Sequence, residues 1–448
     1  MATKDIAPMS RNARRLTPFR WLFPVVVVSL VAALLGLLYL DYVVDPERNL
    51  HDFPIALVNQ DVGETLGTPG HEQRVNFGDQ VADGLRAAVP ADEIDLRVLG
   101  LPEAQRQMQN GQVYGAVVIP SDFSKRLGIL GVGSVIPGEI EQPIITLQTN
   151  PRIGAFATQI VARFGARALP QINDQVGKQL TEQVQAQLTP PPGGAPAPEL
   201  TGATRLALQQ PLQIVTQEFH PLPGGSGEGL TAFFYALLLL LAGMVGAMIV
   251  HTLIDSTLGF IPTEYGPWYV HYPVTPVSRT RTLLIKWGVM AVTALVVSGI
   301  FVGIGAALGM PLDNPLGLYL YGVLAIIAVG FTGISILAAI GSAGLLVNMI
   351  LFIVLGLPSS GGTVPIEATP KYLGWLATFE PMHQVFLAVR ALLYFDGSGP
   401  AGFTRGFWMT MLGLVIGVVL GLVVTRFYDR KGLERKPINR TAAAASSG

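Results

Sequence analysis

Apolar residues are spread unevenly along this chain. One unbroken apolar run occupies Trp21–Val44, and the next begins only at Gly229. From there the runs are Gly229–Leu253, Leu283–Leu308, Leu316–Ile340, Leu345–Leu357 and Phe407–Phe427. About 20 apolar residues in a helix cross a bilayer, and all but Leu345–Leu357 reach that length. The short run is expected to be tilted, broken, or continued by Ser342–Gly344. The pattern therefore predicts six spans, with five spans plus a re-entrant segment as the other arrangement.

Between the first two runs the period changes. Phe53–Asn59, Asp95–Leu99, Val113–Ile119 and Pro143–Gln148 read as strands. Phe77–Val89, Pro102–Asn110 and a short stretch to Leu127 read as helices, and Gly128–Gly138 as a Gly-rich loop. Strands alternating with helices predict a small, partly parallel sheet. Beyond it, Ile153, Phe156, Ile160 and Phe164, then Ile172, Val176, Leu180, Val184 and Leu188, recur at helical spacing. This stripe is expected to pack on the sheet or on a returning helix, with a coiled-coil contact to a second copy as the other reading. Thr189–Pro198 reads as a linker and Glu199–Phe219 as that returning helix.

Charge orients the predicted spans. Arg11, Arg14, Arg15 and Arg20 precede the first run, and Arg426, Arg430, Lys431, Arg435, Lys436 and Arg440 end or follow the last. The Ile254–Thr282 loop carries Arg279 and Arg281, whereas Gly309–Pro315 has no basic residue. With basic segments inside, six spans place both tails and the Ile254–Thr282 loop in the cytoplasm. Asp45–Glu228 and Pro358–Gly406 then lie outside. The first run is longer than a signal-peptide core and no A-x-A site follows it, which favours an uncleaved anchor over a leader.

Composition agrees with this division. Of 448 residues, 50% are hydrophobic and 13% charged, about half the charge of an ordinary soluble domain; the mean hydropathy is +0.47. Lys+Arg 29 against Asp+Glu 30 leaves no basic excess for nucleic acid. With no cysteine, disulfides, thiol catalysis and Cys-bound metals are excluded. Gly177-Lys178 is followed by Gln, so no P-loop is present. The six histidines are scattered, and no cofactor motif or catalytic constellation emerges. The chain does not read as an enzyme. Asp41, His251, Asp255 and Lys286 fall at predicted span ends, where interfacial placement is ordinary, and Asn348 is the conspicuous polar residue within a span. This scarcity of ionisable groups argues against proton coupling.

Two patterns remain. Gly413, Gly417 and Gly421, and likewise Gly299 and Gly303, recur every four residues, a spacing that lets helices approach closely within or between chains. In the Pro358–Gly406 loop, Met382, Val385, Phe386, Val389, Leu392 and Leu393 form an apolar stripe after Pro381, with His383, Gln384 and Arg390 off it. An amphipathic or re-entrant helix at the outer interface is expected.

Several stretches resemble the ABC type 2 exporter permeases, in particular their YhgE/Pip-like branch. They are IALVNQDVG (Ile55–Gly63), AQRQMQNGQVYGAVVIPSDFSKRL (Ala104–Leu127), Glu264-Tyr265-Gly266 followed by TPVSR (Thr275–Arg279) and Lys286, and PIEATPKYLGWLATFEPMHQVFLAVRALL (Pro365–Leu393). The resemblance implies one anchor span, a large outer domain and five further spans. It also implies a homodimer whose Ile254–Thr282 loop meets a separate nucleotide-binding ATPase subunit. Glu264, Pro276, Arg279 and Lys286 then carry over as the coupling region. One departure stands out: where the family has a basic, Thr-rich stretch, this chain reads GPWYVHYPV.

The expectation is a polytopic α-helical membrane protein of the cell membrane, with an extracytoplasmic α/β domain inserted between spans 1 and 2. Its parts are a basic tail (1–20), the first span (21–44), the outer domain with a helical stalk (45–228), a five-span membrane domain (229–427, outer loop 358–406) and a second basic tail (428–448). The expected function is export of a hydrophobic or amphipathic substrate with an ATPase supplied in trans. The alternative is a non-transporting envelope, secretion-accessory or receptor protein that uses the outer domain as an assembly platform.

Overall fold

The computed structural model describes residues 19–66, 73–133, 141–188, 208–433 and 435. The basic stretch 1–18, the linker 189–198 and the tail beyond 435 lie outside the described residues. Helix α1 (Phe19–Val43) leads into β1 (Phe53–Asn59). Then come β2 (Glu64–Leu66), β3 (Gln73–Val75), α2 (Phe77–Ala88), β4 (Ile94–Val98), α3 (Leu101–Gln109), β5 (Gly115–Ile119), α4 (Phe123–Gly133), β6 (Ile144–Thr149), α5 (Ala155–Leu188) and β7 (Gln213–Glu218). Five strands form one sheet in the order β4-β1-β5-β6-β7. β1 runs parallel to both β4 and β5, β6 turns antiparallel to β5, and β7 runs parallel to β6.

One carboxylate ties the first strand to two helix starts. Asp61, just past β1, accepts hydrogen bonds from Gly78 N (3.0 Å) at the head of α2 and from Ser124 N (3.0 Å) at the head of α4. It also accepts from the Ser124 hydroxyl. The first turns of a helix present unsatisfied N–H groups and partial positive charge, and Asp61 answers both. Gly78 is needed here because a Cβ would strike the Asp61 side chain. The VNQD and PSDFS stretches, 60 residues apart in sequence, thus meet in one knot.

Two expectations differ from what forms. Residues 213–218 are a strand rather than part of a returning helix, because the β-branched Ile214, Val215 and Thr216 suit an edge strand that pairs with β6. Helix α4 continues to Gly133, into the expected loop. Gly131 lets it lie against Leu180 and Val184 of α5. Helix α5 runs unbroken through Pro170. Its buried stripe, including Ile160, Phe164, Ile172, Val176 and Leu180, packs on the chain's own sheet and helices.

The second half is helical: α6 (Leu230–Thr257), α7 (Arg279–Ala307), α8 (Pro315–Ile340), α9 (Ala343–Met349), α10 (Lys371–Ala377), α11 (Pro381–Tyr394) and α12 (Thr404–Arg430). Among the described residues, five helices are long and apolar enough to cross a membrane, namely α1, α6, α7, α8 and α12. The sixth apolar run does not form one long helix. It is α9 continued by a π-helical turn over Ile350–Val354, followed by turns to Ser360. Asn348 of α9 is buried and donates to Gly333 O of α8 (3.1 Å), a helix–helix bond.

Helix α8 is the hub, packed by α6, α7 and α12. Gly417 and Gly421 of α12 face Thr332 and Ser335 of α8, so this pair is used within the chain. Gly299 touches the Tyr319 ring, and Gly303 and Gly413 have open space where a Cβ would point. Loop contacts sort the helix ends into two groups. Gly225, before α6, presses on Gly309, after α7. At the opposite ends, Tyr428 of α12 donates to Ala339 O of α8 (2.8 Å).

Candidate functional site

The ends of α6, α7 and α12 that lie away from the sheet enclose a charged cluster. His251 and Asp255 stand one turn apart on α6, and Lys286 projects from α7 between them. Asp255 Oδ1 receives Lys286 Nζ (2.6 Å) and Arg435 Nη1 (2.8 Å), while Oδ2 lies 3.2 Å from His251 Nε2. Lys286 Nζ is also 3.0 Å from His251 Nδ1. Lys286 is 1% exposed and Asp255 4%. These groups were expected at span ends, where interfacial placement is ordinary; there, three helix-borne ionisable side chains converge in a buried network.

The segment expected to couple to an ATPase wraps this cluster. Arg279 starts α7 behind Ser278, whose hydroxyl caps the helix by accepting from Arg281 N (3.2 Å). The backbone N–H groups of Arg279 and Thr280 donate to the Asp429 carboxylate (2.8 and 3.0 Å). The Arg279 side chain donates to Leu433 O (2.7 Å) and lies over the Tyr428 ring. Pro276, Arg279, Asp429 and Arg435 line a cleft of about 370 Å³. Pro276, Arg279 and Lys286 are thus brought to one end of the bundle. Glu264 is at the same end but does not line the cleft: it stands exposed on a hairpin of β8 (Thr263–Tyr265) and β9 (Trp268–Val270). Tyr265, Trp268 and Tyr269 on that hairpin are also exposed.

At the opposite end lies α11. Glu380 caps it, accepting from His383 N (3.1 Å), with Pro381 in the first turn. The helix was expected to keep a polar face at an interface, yet every residue from Met382 to Tyr394 is buried, His383 and Arg390 included. The sheet closes over it: Tyr114 donates to Glu367 Oε2 (2.8 Å), and His51 N to Glu367 O (2.8 Å). Met382 and Phe386 join the core. His383 Nδ1 lies 2.8 Å from Ser360 O, and burial pushes its pKa down to about 4. Burial pushes the Glu380 carboxyl up to about 8. An apolar cavity of about 230 Å³ lies between α8, α11 and α12, lined by Val329, Thr332, Phe352, Val385 and Ile416 with Gln384 as a polar member.

A family model described as "ABC-2 family transporter protein" matches residues 19–425. The chain belongs to the ABC-2 transporter family. That membership makes it a multi-pass membrane protein and supports a permease role. The chain is also similar to the "Uncharacterized protein YhgE" of Bacillus subtilis (strain 168), with 24% identity over 168 residues. The similar stretch is 37% of this chain and 20% of that relative, so the two share only a fraction of their length. In the ABC-2 member described here, sequence reasoning placed His251 and Asp255 at a span end and Arg435 in the basic tail, but did not join them to Lys286 as one cluster. The i, i+4 spacing of His251 and Asp255 was the available signal, since it places both on one helix face.

Proposed function

We propose that this ABC-2 family protein is the membrane subunit of an exporter that moves a hydrophobic or amphipathic substrate outward, driven by a separate ATPase. The observation that carries this reading is the apolar cavity between α8, α11 and α12, because a mostly apolar pocket whose polar members are Thr332, Gln384 and Thr410 suits a hydrophobic or amphipathic ligand. In this reading the sheet, residues 45–228, is an extracytoplasmic domain, and both termini are cytoplasmic. In the same reading residues 343–360, a short helix continued by a π-helical turn and further turns, make the sixth crossing. The cleft lined by Pro276 and Arg279, with Glu264 beside it, receives the ATPase. Gly303, which faces open space, is available to a second copy in a homodimer, whereas Gly413 lines the apolar cavity.

The test uses the full-length protein. Glu264→Lys, at an exposed position, is expected to reduce co-purification of the ATPase about tenfold. Val385→Trp, which fills the cavity, is expected to reduce transport while leaving that association intact. Unchanged transport in Val385→Trp and an absence of any nucleotide-binding partner would overturn the export reading. The exposed, uncharged Tyr265, Trp268 and Tyr269 favour a second reading in that event, a non-transporting envelope platform built on the sheet.

A further inference from the structure

The junction between the sheet and the membrane helices holds a buried cation with no ion-pair partner among the described residues. Arg390 of α11 is 9% exposed, makes no hydrogen bond or ion pair among the described residues, and its Nε is unpartnered there. The rings of Phe386 and Phe395, centred 5.3 and 5.8 Å from its guanidinium carbon, lie against it. An unpaired buried charge is strongly unfavourable in a folded protein. Arg390 lines a cavity of about 280 Å³, shared with Tyr114, Glu367, His383 and Arg405.

The other groups on the cavity wall offset it only in part. Glu367 accepts from the Tyr114 hydroxyl and attracts Arg390 without forming an ion pair with it. His383 is engaged by the Ser360 carbonyl and is uncharged near neutral pH. Arg405 is exposed at the rim and adds a second positive charge. Two arginines against one carboxylate leave the pocket one positive charge in excess. Guanidinium groups present a planar fork that fits phosphate and carboxylate oxygens. The volume is several times the roughly 30 Å³ share of one water, so it holds a headgroup-sized anion.

We propose that this pocket binds an anionic headgroup, a phosphate or carboxylate, with Arg390 as its buried clamp and Arg405 as its rim. The proposal is independent of export, since the same pocket would be occupied in a platform protein. The anion has two sources, the headgroup of a membrane lipid or a soluble anion entering past Arg405, and the experiment separates them.

Full-length protein purified in detergent is melted alone, with phosphatidylglycerol, with phosphatidylcholine, and with inorganic phosphate. Stabilisation by phosphatidylglycerol over phosphatidylcholine, without an effect of phosphate, assigns a lipid headgroup. Stabilisation by inorganic phosphate assigns a soluble anion. In either case Arg390→Gln is expected to abolish the shift while melting, ligand-free, no lower than the parent, since an unpaired charge has been removed. Arg405→Gln is expected to weaken the apparent affinity about tenfold, the loss of one charge-assisted contact. Arg405→Gln changes an exposed residue, so it carries the comparison if Arg390→Gln does not fold. The proposal is overturned if no anion stabilises the parent, or if the shift persists unchanged in the folded variants.

Discussion

The two ends of the helical bundle treat buried charge in opposite ways. At one end, Asp255 is met by Lys286, Arg435 and His251, and the neighbouring Asp429 receives two backbone N–H groups. At the other end, Arg390 has no ion-pair partner among the described residues, and one oxygen of Glu380 is unpartnered in an apolar setting. A charge surrounded by partners is committed to the fold and fixes how α6 and α7 sit together. A charge without a direct partner is left able to take one that the chain does not itself supply. The difference separates residues that build the bundle from residues that are free to bind.

The largest expected effect lies at the committed end. Asp255→Ala leaves Lys286 buried without a counter-charge and should cost about 3–5 kcal/mol, read as a lowered melting temperature in detergent. The double variant Asp255→Leu, Lys286→Met should recover most of it, because an apolar pair of similar size is tolerated where a broken ion pair is not. A loss below about 1 kcal/mol in the single variant would show that the cluster does not hold the helices.

Asp61 offers the same contrast within the sheet. Asp61→Ala strands donors at the starts of α2 and α4 and should cost about 1–3 kcal/mol, measured by amide exchange in both helices. Next comes pH. Glu380 ionises near 8 in the folded protein, above its ordinary value of 4.5. The unfolded chain therefore releases this proton first, and stability should fall as pH rises between about 5 and 8. Glu380→Gln should flatten that part of the melting profile, and an identical slope in both proteins would contradict the assignment.

The smallest effect belongs to Glu47, which joins Arg163 and Arg167 of α5 at the surface. The hydrogen bond from Arg163 lowers its pKa. Its contribution is therefore present above the unfolded value and lost as pH falls through the folded one. Partial exposure limits it to about 1 kcal/mol or less, so Glu47→Gln should barely shift the melt.

Much of this was legible in the sequence, and the residues show why. Long apolar runs declare themselves, because crossing a bilayer demands length and composition together. β1, β4, β5 and β6 were legible because their alternation sits between strong helix starts and turns. β7 was not, because QIVTQE carries four polar positions and becomes a strand only when β6 offers it an edge. α11 was legible as a helix, but its enclosure was not. Whether His383 and Arg390 meet water depends on Tyr114 and Glu367, which arrive from distant segments. The charged cluster was hidden for the same reason: Lys286 and Asp255 are 31 residues apart, and only the antiparallel packing of α6 and α7 joins them.

Helix α1 carries a consequence for how the molecule is put together. Only 6% of its apolar window is buried by protein, against 56% for α8. It is held mainly near its end, where Leu38 and Tyr42 are buried, Tyr39 donates to Ile353 O (3.1 Å) and Asp41 accepts from Tyr372 (2.6 Å). In engineering terms α1 is a replaceable part. An unrelated apolar helix of equal length that keeps residues 38–43 should serve in its place, whereas no such exchange could be made for α8.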